Sequence, residues 1–351
     1  MLKNLLKDLT KLQVIFLVLL FLTAVYFRFW QIRDYVVFLG DEGRDMRIMR
    51  DMILEIRPVF LGPTASVGGF YLGPIYYWMS APFLALSFFD PVGPSIMVAL
   101  FGVATVLLLY KFLKDTTSFY PAILASLLYA TAPLIVRYSR SSWNPNPLPF
   151  FSLLLIYFLY LGIKKNKLKY FLLAGLCFGI TIQLHYLSIM LVPVAGLIVL
   201  ANTDKGKWLK ILAMGFAGSL VTFSPFLLFE IRHNFPNFRT IFEFVTRDST
   251  HGLRNPNIIY VISNTGNIFL EDLSLLKASP VTRIVFWLLT AGGIFTLAKN
   301  WKDKQKKLIS SIGVIWFLGG LFFLRYYSGQ LFDYYYGFMF PAPFLKLGSS
   351  L

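Results

Sequence analysis

Two acids stand side by side in the segment Phe38-Leu39-Gly40-Asp41-Glu42-Gly43-Arg44-Asp45, and Arg44, Arg47 and Arg50 follow them closely. A turn at Gly40 before a short helix would let Asp41 cap that helix, whose positive end suits acids. Helical spacing puts Asp41, Arg44, Asp45 and Ile48 on one face. Met46, Met49, Ile53 and Ile56 fall on another side, which could rest on lipid. A carboxylate placed this way can take a proton from an acceptor hydroxyl as that hydroxyl attacks an activated sugar carbon. The neighbouring Glu42 could orient the acceptor or hold a divalent cation, which prefers oxygen ligands. Nearby arginines could neutralise a departing phosphate. A capped amphipathic helix at an interface, laced with salt bridges, would show the same local features, and on those features alone it is the simpler reading.

The elements that must carry this loop are apolar. Of 351 residues, 57% are hydrophobic and 14% charged, against about 25% charged in soluble domains. The surface deficit is too large for a water-soluble fold. Apolar runs occur near residues 12–30, 74–89, 94–113, 119–136, 147–163, 170–201, 208–229, 281–298, 308–324 and 335–347. Most suit a bilayer core about 30 Å thick. The run 170–201 is too long for one crossing and is expected to fold back near residues 183–188. The first run ends in Tyr26-Phe27-Arg28-Phe29-Trp30, an interfacial aromatic anchor with no small-residue cleavage site, so it reads as a retained helix rather than a signal peptide. One membrane domain, residues 1–351, is expected.

Charge sets the topology. The net charge is +16, but the basic residues sit between apolar runs, which points to anionic lipid headgroups rather than nucleic acid. The positive-inside rule places the lysine clusters at 3/7/11, 111/114, 164–169, 205–210 and 299–307 in the cytoplasm. All fall on one side only if 74–89 does not cross. That leaves ten crossings, both termini cytoplasmic, and 74–89 as a re-entrant or surface helix closing a first outer loop, 31–93. A second long outer loop spans 230–280. In this arrangement all fourteen arginines lie outside or at the outer interface, whereas Lys277 is the one lysine there. Arginine forks suit phosphate, although arginine also snorkels at interfaces. The inner loops are short Lys-rich tethers, so chemistry is expected on the extracytoplasmic side of the cell membrane. Cys177, the lone cysteine, reads as a core thiol.

Three motifs in order resemble one family. Asp41-Glu42 with Arg44 and Arg50 in the first loop, Gly73-Pro74-Ile75-Tyr76-Tyr77-Trp78 at its end, and Ala132-Pro133 through Arg137-Tyr138-Ser139-Arg140 in the second loop are similar to the GT-C polyprenyl-phosphate-sugar-dependent glycosyltransferases. These include the protein O-mannosyltransferases, the lipid A aminoarabinose transferases and the RgtA/B/C/D-like membrane transferases. The resemblance covers roughly residues 10–240. It implies an all-α polytopic GT-C-like bundle of about ten transmembrane helices with juxtamembrane helices in the first outer loop. It implies an inverting transfer from a polyprenyl-phosphate-linked sugar to a lipid, glycan or protein acceptor, with Asp41 as base. Glu42 would assist, and Arg44, Tyr76, Arg137, Tyr138, Arg140 and Asn144 would bind substrate.

The sequence departs from the family twice. Gly73 stands where a His or Lys is common. Asn144, in Trp143-Asn144-Pro145-Asn146-Pro147, stands where the second loop often has an acid. Asn cannot act as a base, which favours acid–base chemistry at Asp41 over metal dependence, with a divalent cation still possible. The family often continues beyond the point where this chain ends, and a shortened chain could lack acceptor recognition.

Weaker candidates are His185, at a turn between apolar segments, and Arg232 and His233, at a helix end after Pro225. His185 reads equally as a hydrogen-bonded turn residue, and for Arg232 and His233 an interfacial cap is the simpler reading. Asp333, Tyr334 and Tyr335 read as part of an aromatic belt or as sugar-stacking groups. Arg239, Arg247, His251 and Arg254 could belong to a lid. Two rival functions stand beside transfer. A flippase for lipid-linked sugars should show charges at mid-bilayer, and almost none are seen. A non-catalytic assembly subunit would have no use for the Asp-Glu constellation. No Gly-rich nucleotide loop occurs.

Overall fold

The computed structural model describes residues 9–65, 68–247, 280–327 and 330–350, with Thr265 and Ile268. Lys3, Lys7, Lys277, His251 and Arg254 lie outside the described residues. The described part is helical, with one isolated antiparallel bridge between Thr64 and Tyr71.

Helix α1, Lys11–Phe29, opens on a capping box. Gln13 N donates to Thr10 Oγ1 at 3.3 Å, and Thr10 N donates to Gln13 Oε1 at 3.1 Å. Two otherwise orphaned N–H groups are thus satisfied. Helix α2, Gly40–Leu54, carries the paired acids. Helix α3, Ile75–Leu86, has twelve residues and Pro82 inside it. At 1.5 Å per residue it reaches about 18 Å, short of a bilayer core. Helix α4, Val92–Thr116, reaches about 37 Å.

The run 119–136 is not one helix. α5, Phe119–Thr131, stops before Pro133, and α6, Pro133–Tyr138, begins on that proline. Proline has no N–H to return to the preceding turn and forces Ala132 out of the helical region, to φ −61° and ψ 122°. α7, Leu148–Lys165, ends on Asn166 in the left-handed region. α8, Leu168–Leu184, leads through a 3₁₀ turn, Tyr186–Met190, into α9, Leu191–Asn202. The long apolar run therefore folds back where expected. α10, Trp208–Arg232, and α11, Pro236–Arg247, follow. After the undescribed stretch come α12, Pro280–Lys299, and α13, Lys304–Val314. A π turn, Ile315–Gly319, joins α13 to α14, Gly320–Leu324. The last apolar run, 335–347, divides into a 3₁₀ helix, Asp333–Met339, and α15, Ala342–Ser350.

Among the described residues five helical spans are long and apolar enough to cross a membrane: Lys11–Phe29, Val92–Thr116, Leu148–Lys165, Lys205–Arg232 and Lys306–Leu324. Four shorter apolar helices accompany them. The difference from ten full-length crossings has a physical source. Composition counts an apolar run whole, whereas Pro133, the 3₁₀ turn Tyr186–Met190 and the 3₁₀ helix Asp333–Met339 divide the runs 119–136, 170–201 and 335–347 into shorter helices.

Helices α8 and α10 make the closest helix pair. A side chain at Gly175 would overlap the Gly215 carbonyl, and one at Gly218 would overlap the Leu172 carbonyl. The absence of Cβ atoms lets the backbones touch, as membrane helices do without water to drive them together. Ser219 and Thr222 then donate across the seam to the Gly175 and Leu176 carbonyls at 3.2 and 3.1 Å. Helices α3 to α7 and α15 share a core that includes Tyr77, Phe112, Tyr129 and Leu345. This packed body holds α2, α6 and the Asp333–Met339 turn at one end.

Candidate active site

Asp41 does not cap α2. Glu42 does: Leu39 N donates to Glu42 Oε2 at 3.0 Å, and the Glu42 side chain is largely buried. Three residues is the reach of a side chain turning back on its own helix start, so Glu42 takes the position expected of Asp41. Asp41 is left with a side chain 53% exposed. It accepts one bond, from Arg44 Nη1 at 3.0 Å.

Arg44 is held from below. Its Nε and Nη2 both donate to Asp45 Oδ1, at 2.9 and 2.8 Å. The Tyr77 hydroxyl donates to the same oxygen at 2.8 Å. Asp45 is 2% exposed. Burial raises its carboxyl above the ordinary range, and the Tyr77 and Arg44 bonds oppose that rise without cancelling it. One helix thus carries a buried acid that fixes an arginine and an open acid that the arginine steadies.

The second loop comes alongside. The Arg137 guanidinium forms an ion pair with Asp333, and the Tyr138 hydroxyl donates to Asp333 Oδ1 at 2.5 Å. Arg140 donates to the Trp30 carbonyl and lies over the Tyr35 ring at 3.9 Å. Asn144 Nδ2 donates to the Leu184 carbonyl at 2.7 Å. His185 is buried in the turn after α8. Its Nδ1 accepts from Leu187 N at 3.3 Å, and its ring stacks on Tyr186 and meets Tyr334 edge-on. Desolvation lowers its pKa to about 3, so the imidazole is neutral.

Two cavities meet at Asp41. A small one of about 20 Å³ is lined by Asp41, Arg44, Asn144, His185, Tyr334 and Trp143. A large one of about 1240 Å³ runs past Phe27, Leu39, Pro133 and Val136, with Arg137 and Arg140 on its wall. Asp41 and Trp143 belong to both.

Three expected site residues lie elsewhere. Tyr76 is fully buried and hydrogen-bonds Ser142 Oγ at 3.0 Å, so it braces the second loop from beneath. Arg232 and His233 end α10 on the exposed surface and line neither cavity; His233 stacks on Phe229 at 4.1 Å. Between them in role is buried Glu230, which accepts from Asn237 Nδ2 at 2.7 Å and Phe238 N at 3.0 Å and thereby caps α11. Asn237 Oδ1 in turn accepts from Tyr71 N at 2.9 Å. The sequence reading overlooked Asp45 as an anchor and Trp143 as a shared wall. Asp45 shared a helical face with Asp41 and Arg44, which was the available signal. Among the described residues no three His, Cys, Asp or Glu side chains gather as a metal site.

Residues 72–229 match the family model for dolichyl-phosphate-mannose-protein mannosyltransferase. The structure superposes on ArnT from Cupriavidus metallidurans bound to undecaprenyl phosphate with a TM-score of 0.65, at 17% identity over 96% of this chain and 59% of that one. The fold is that of the GT-C membrane glycosyltransferases. The archaeal oligosaccharyltransferase AglB from Archaeoglobus fulgidus, in complex with an inhibitory peptide and a dolichol-phosphate, shares this GT-C fold with a TM-score of 0.62, at 13% identity over 96% of this chain and 50% of that one. The chain therefore spans about half to three-fifths of the solved proteins whose GT-C fold it has. No curated protein matches it in sequence.

Proposed function

We propose that this chain is a glycosyltransferase that moves a sugar from a polyprenyl-phosphate donor to a hydroxyl-bearing acceptor on the extracytoplasmic face of the membrane. The observation that carries the reading is the position of Asp41, open to solvent where a small polar pocket joins a large apolar cleft. The cleft suits an isoprenoid tail, and Arg137 and Arg140 on its wall suit the phosphate. The acceptor hydroxyl attacks the anomeric carbon while the bond from that carbon to the phosphate oxygen breaks. Its proton passes to Asp41, and the phosphate leaves as an anion facing the arginines. One displacement inverts the anomeric centre. Arg44, fixed by Asp45, holds the Asp41 carboxylate in place. Tyr334, Trp143 and neutral His185 offer faces on which a sugar ring can rest.

The lysine clusters support a cytoplasmic N-terminus and an outward site. Transport is tested against transfer in one assay. Proteoliposomes are supplied with a labelled polyprenyl-phosphate sugar and a pool of lipid, glycan and peptide acceptors. Transfer predicts that label leaves the polyprenyl phosphate and appears on an acceptor with inverted configuration. Label that stays on the lipid and changes leaflet would contradict the reading and favour a flippase.

A further inference from the structure

Arg28, near the end of α1, presents a problem the proposed reaction does not use. Its side chain is fully buried, with 0% exposure. Nη1 donates to the Ala24 carbonyl at 3.3 Å and to the Ala130 carbonyl at 3.0 Å, and Nε and Nη2 have no acceptor among the described residues. No carboxylate pairs with it among the described residues. Holding a charge in such a place costs several kcal/mol unless it is paired. Packing alone would be better served by an uncharged side chain of similar length. The fold nevertheless makes room for it: a Cβ at Gly102 would stand 2.7 Å from Arg28 Nε and 2.7 Å from Ser139 Cβ.

The neighbours of Arg28 are the two ends of one wall. Ala130 precedes Thr131, and Ser139 lies between Tyr138 and Arg140; Thr131, Tyr138, Arg140 and Phe27 all line the large cleft. Arg140 reaches the other way, to the Trp30 carbonyl at the end of α1, and its own Nε is buried without an acceptor among the described residues. Two guanidinium groups thus lace α1 to the segment 130–140, and among the described residues neither has a carboxylate counterion. The Ala130 carbonyl bound by Arg28 belongs to the negative last turn of α5, which offsets part of its charge.

We infer that Arg28 is a positioning residue for the donor's anionic headgroup. It ties α1 to one end of the cleft wall at Ala130 and crowds Gly102 together with Ser139 at the other, and it leaves behind that wall a positive charge that an arriving phosphate completes. This rests on the reading of the cleft as the donor site. On this reading the buried charge destabilises the empty protein, and an arriving phosphate offsets that cost.

The test measures binding of undecaprenyl phosphate to the full chain in nanodiscs, with undecaprenol as an uncharged control. Arg28→Met should weaken the phosphate lipid about tenfold, the scale of one lost charge at intermediate range and screening. It should leave undecaprenol binding unchanged and the thermal midpoint unchanged or higher. Arg28→Lys should recover most of the phosphate affinity. Gly102→Ala, which displaces the guanidinium but keeps its charge, should weaken phosphate binding as well. In turnover the loss should appear in KM for the donor, with kcat nearly constant. Equal weakening of both lipids, or a lower midpoint with unchanged phosphate affinity, would reduce Arg28 to a packing element and overturn the inference. If Arg28→Met does not fold, unchanged phosphate affinity in Gly102→Ala overturns it alone. If Arg137→Gln and Arg140→Gln also bind phosphate normally, the cleft is not the donor site and both readings fall together.

Discussion

Asp41 and Asp45 sit four residues apart on one helix, and their surroundings divide the work between them. Asp45 is buried under three donors and anchors; Asp41 is half-exposed and accepts a single bond from Arg44, which suits the base role proposed for it. Tyr77→Phe removes one donor from the buried carboxylate and should cost about 1.5–3 kcal/mol, as for a hydrogen bond to a charged group. Thermal unfolding in detergent measures this, and turnover should fall far less than on loss of Asp41. His185 makes a second prediction, in pH. Its value in the folded chain, about 3, lies below that of an unfolded imidazole. The unfolded state therefore binds a proton that the folded state refuses. The stability from this group is complete above about pH 6.5 and is lost as pH falls toward the folded value, by up to ~1.4 kcal/mol per unit. His185→Asn keeps an acceptor for Leu187 N and should flatten that slope in unfolding measured at intermediate pH.

At the scale of elements, α10 and α11 are joined by Glu230. Its carboxylate collects donors from Asn237 and Phe238, and Asn237 holds the first loop through Tyr71. Glu230→Ala leaves those buried donors unsatisfied and should cost about 2–3 kcal/mol, read as a lower midpoint with donor KM little changed. Much of this architecture was legible in the sequence. The fold-back at residues 183–188, the shortness of the helix after Pro74 and the helical face shared by Asp41, Arg44 and Asp45 all follow from length, proline and the 3.6-residue period. What could not be read was competition between neighbours. Either Asp41 or Glu42 can cap α2, and only the backbone at Leu39 decides for Glu42. Tyr76 and Tyr77 alternate with no signal to say which meets Ser142 and which meets Asp45. Asp333 reads as part of an aromatic belt, because its partners Arg137 and Tyr138 are nearly two hundred residues away.

At the scale of the whole molecule, the bundle places a large apolar cleft and a small polar pocket against each other and puts Asp41 where they meet. The lysine clusters support the proposal that this end faces outward. A Lys111→Cys protein in a Cys177→Ala background should react only with reagent added on the cytoplasmic side; labelling from outside would invert the assignment. The proposed function rests on Asp41 more than on any other residue. The most direct test compares wild type with Asp41→Asn in proteoliposomes, measuring sugar transfer from the polyprenyl-phosphate donor together with donor affinity. Asn preserves size and the bond from Arg44 but cannot take a proton. The account predicts a kcat lower by at least about a hundredfold, the usual scale for a lost general base, with donor binding nearly intact. Transfer at the wild-type rate in Asp41→Asn would contradict it.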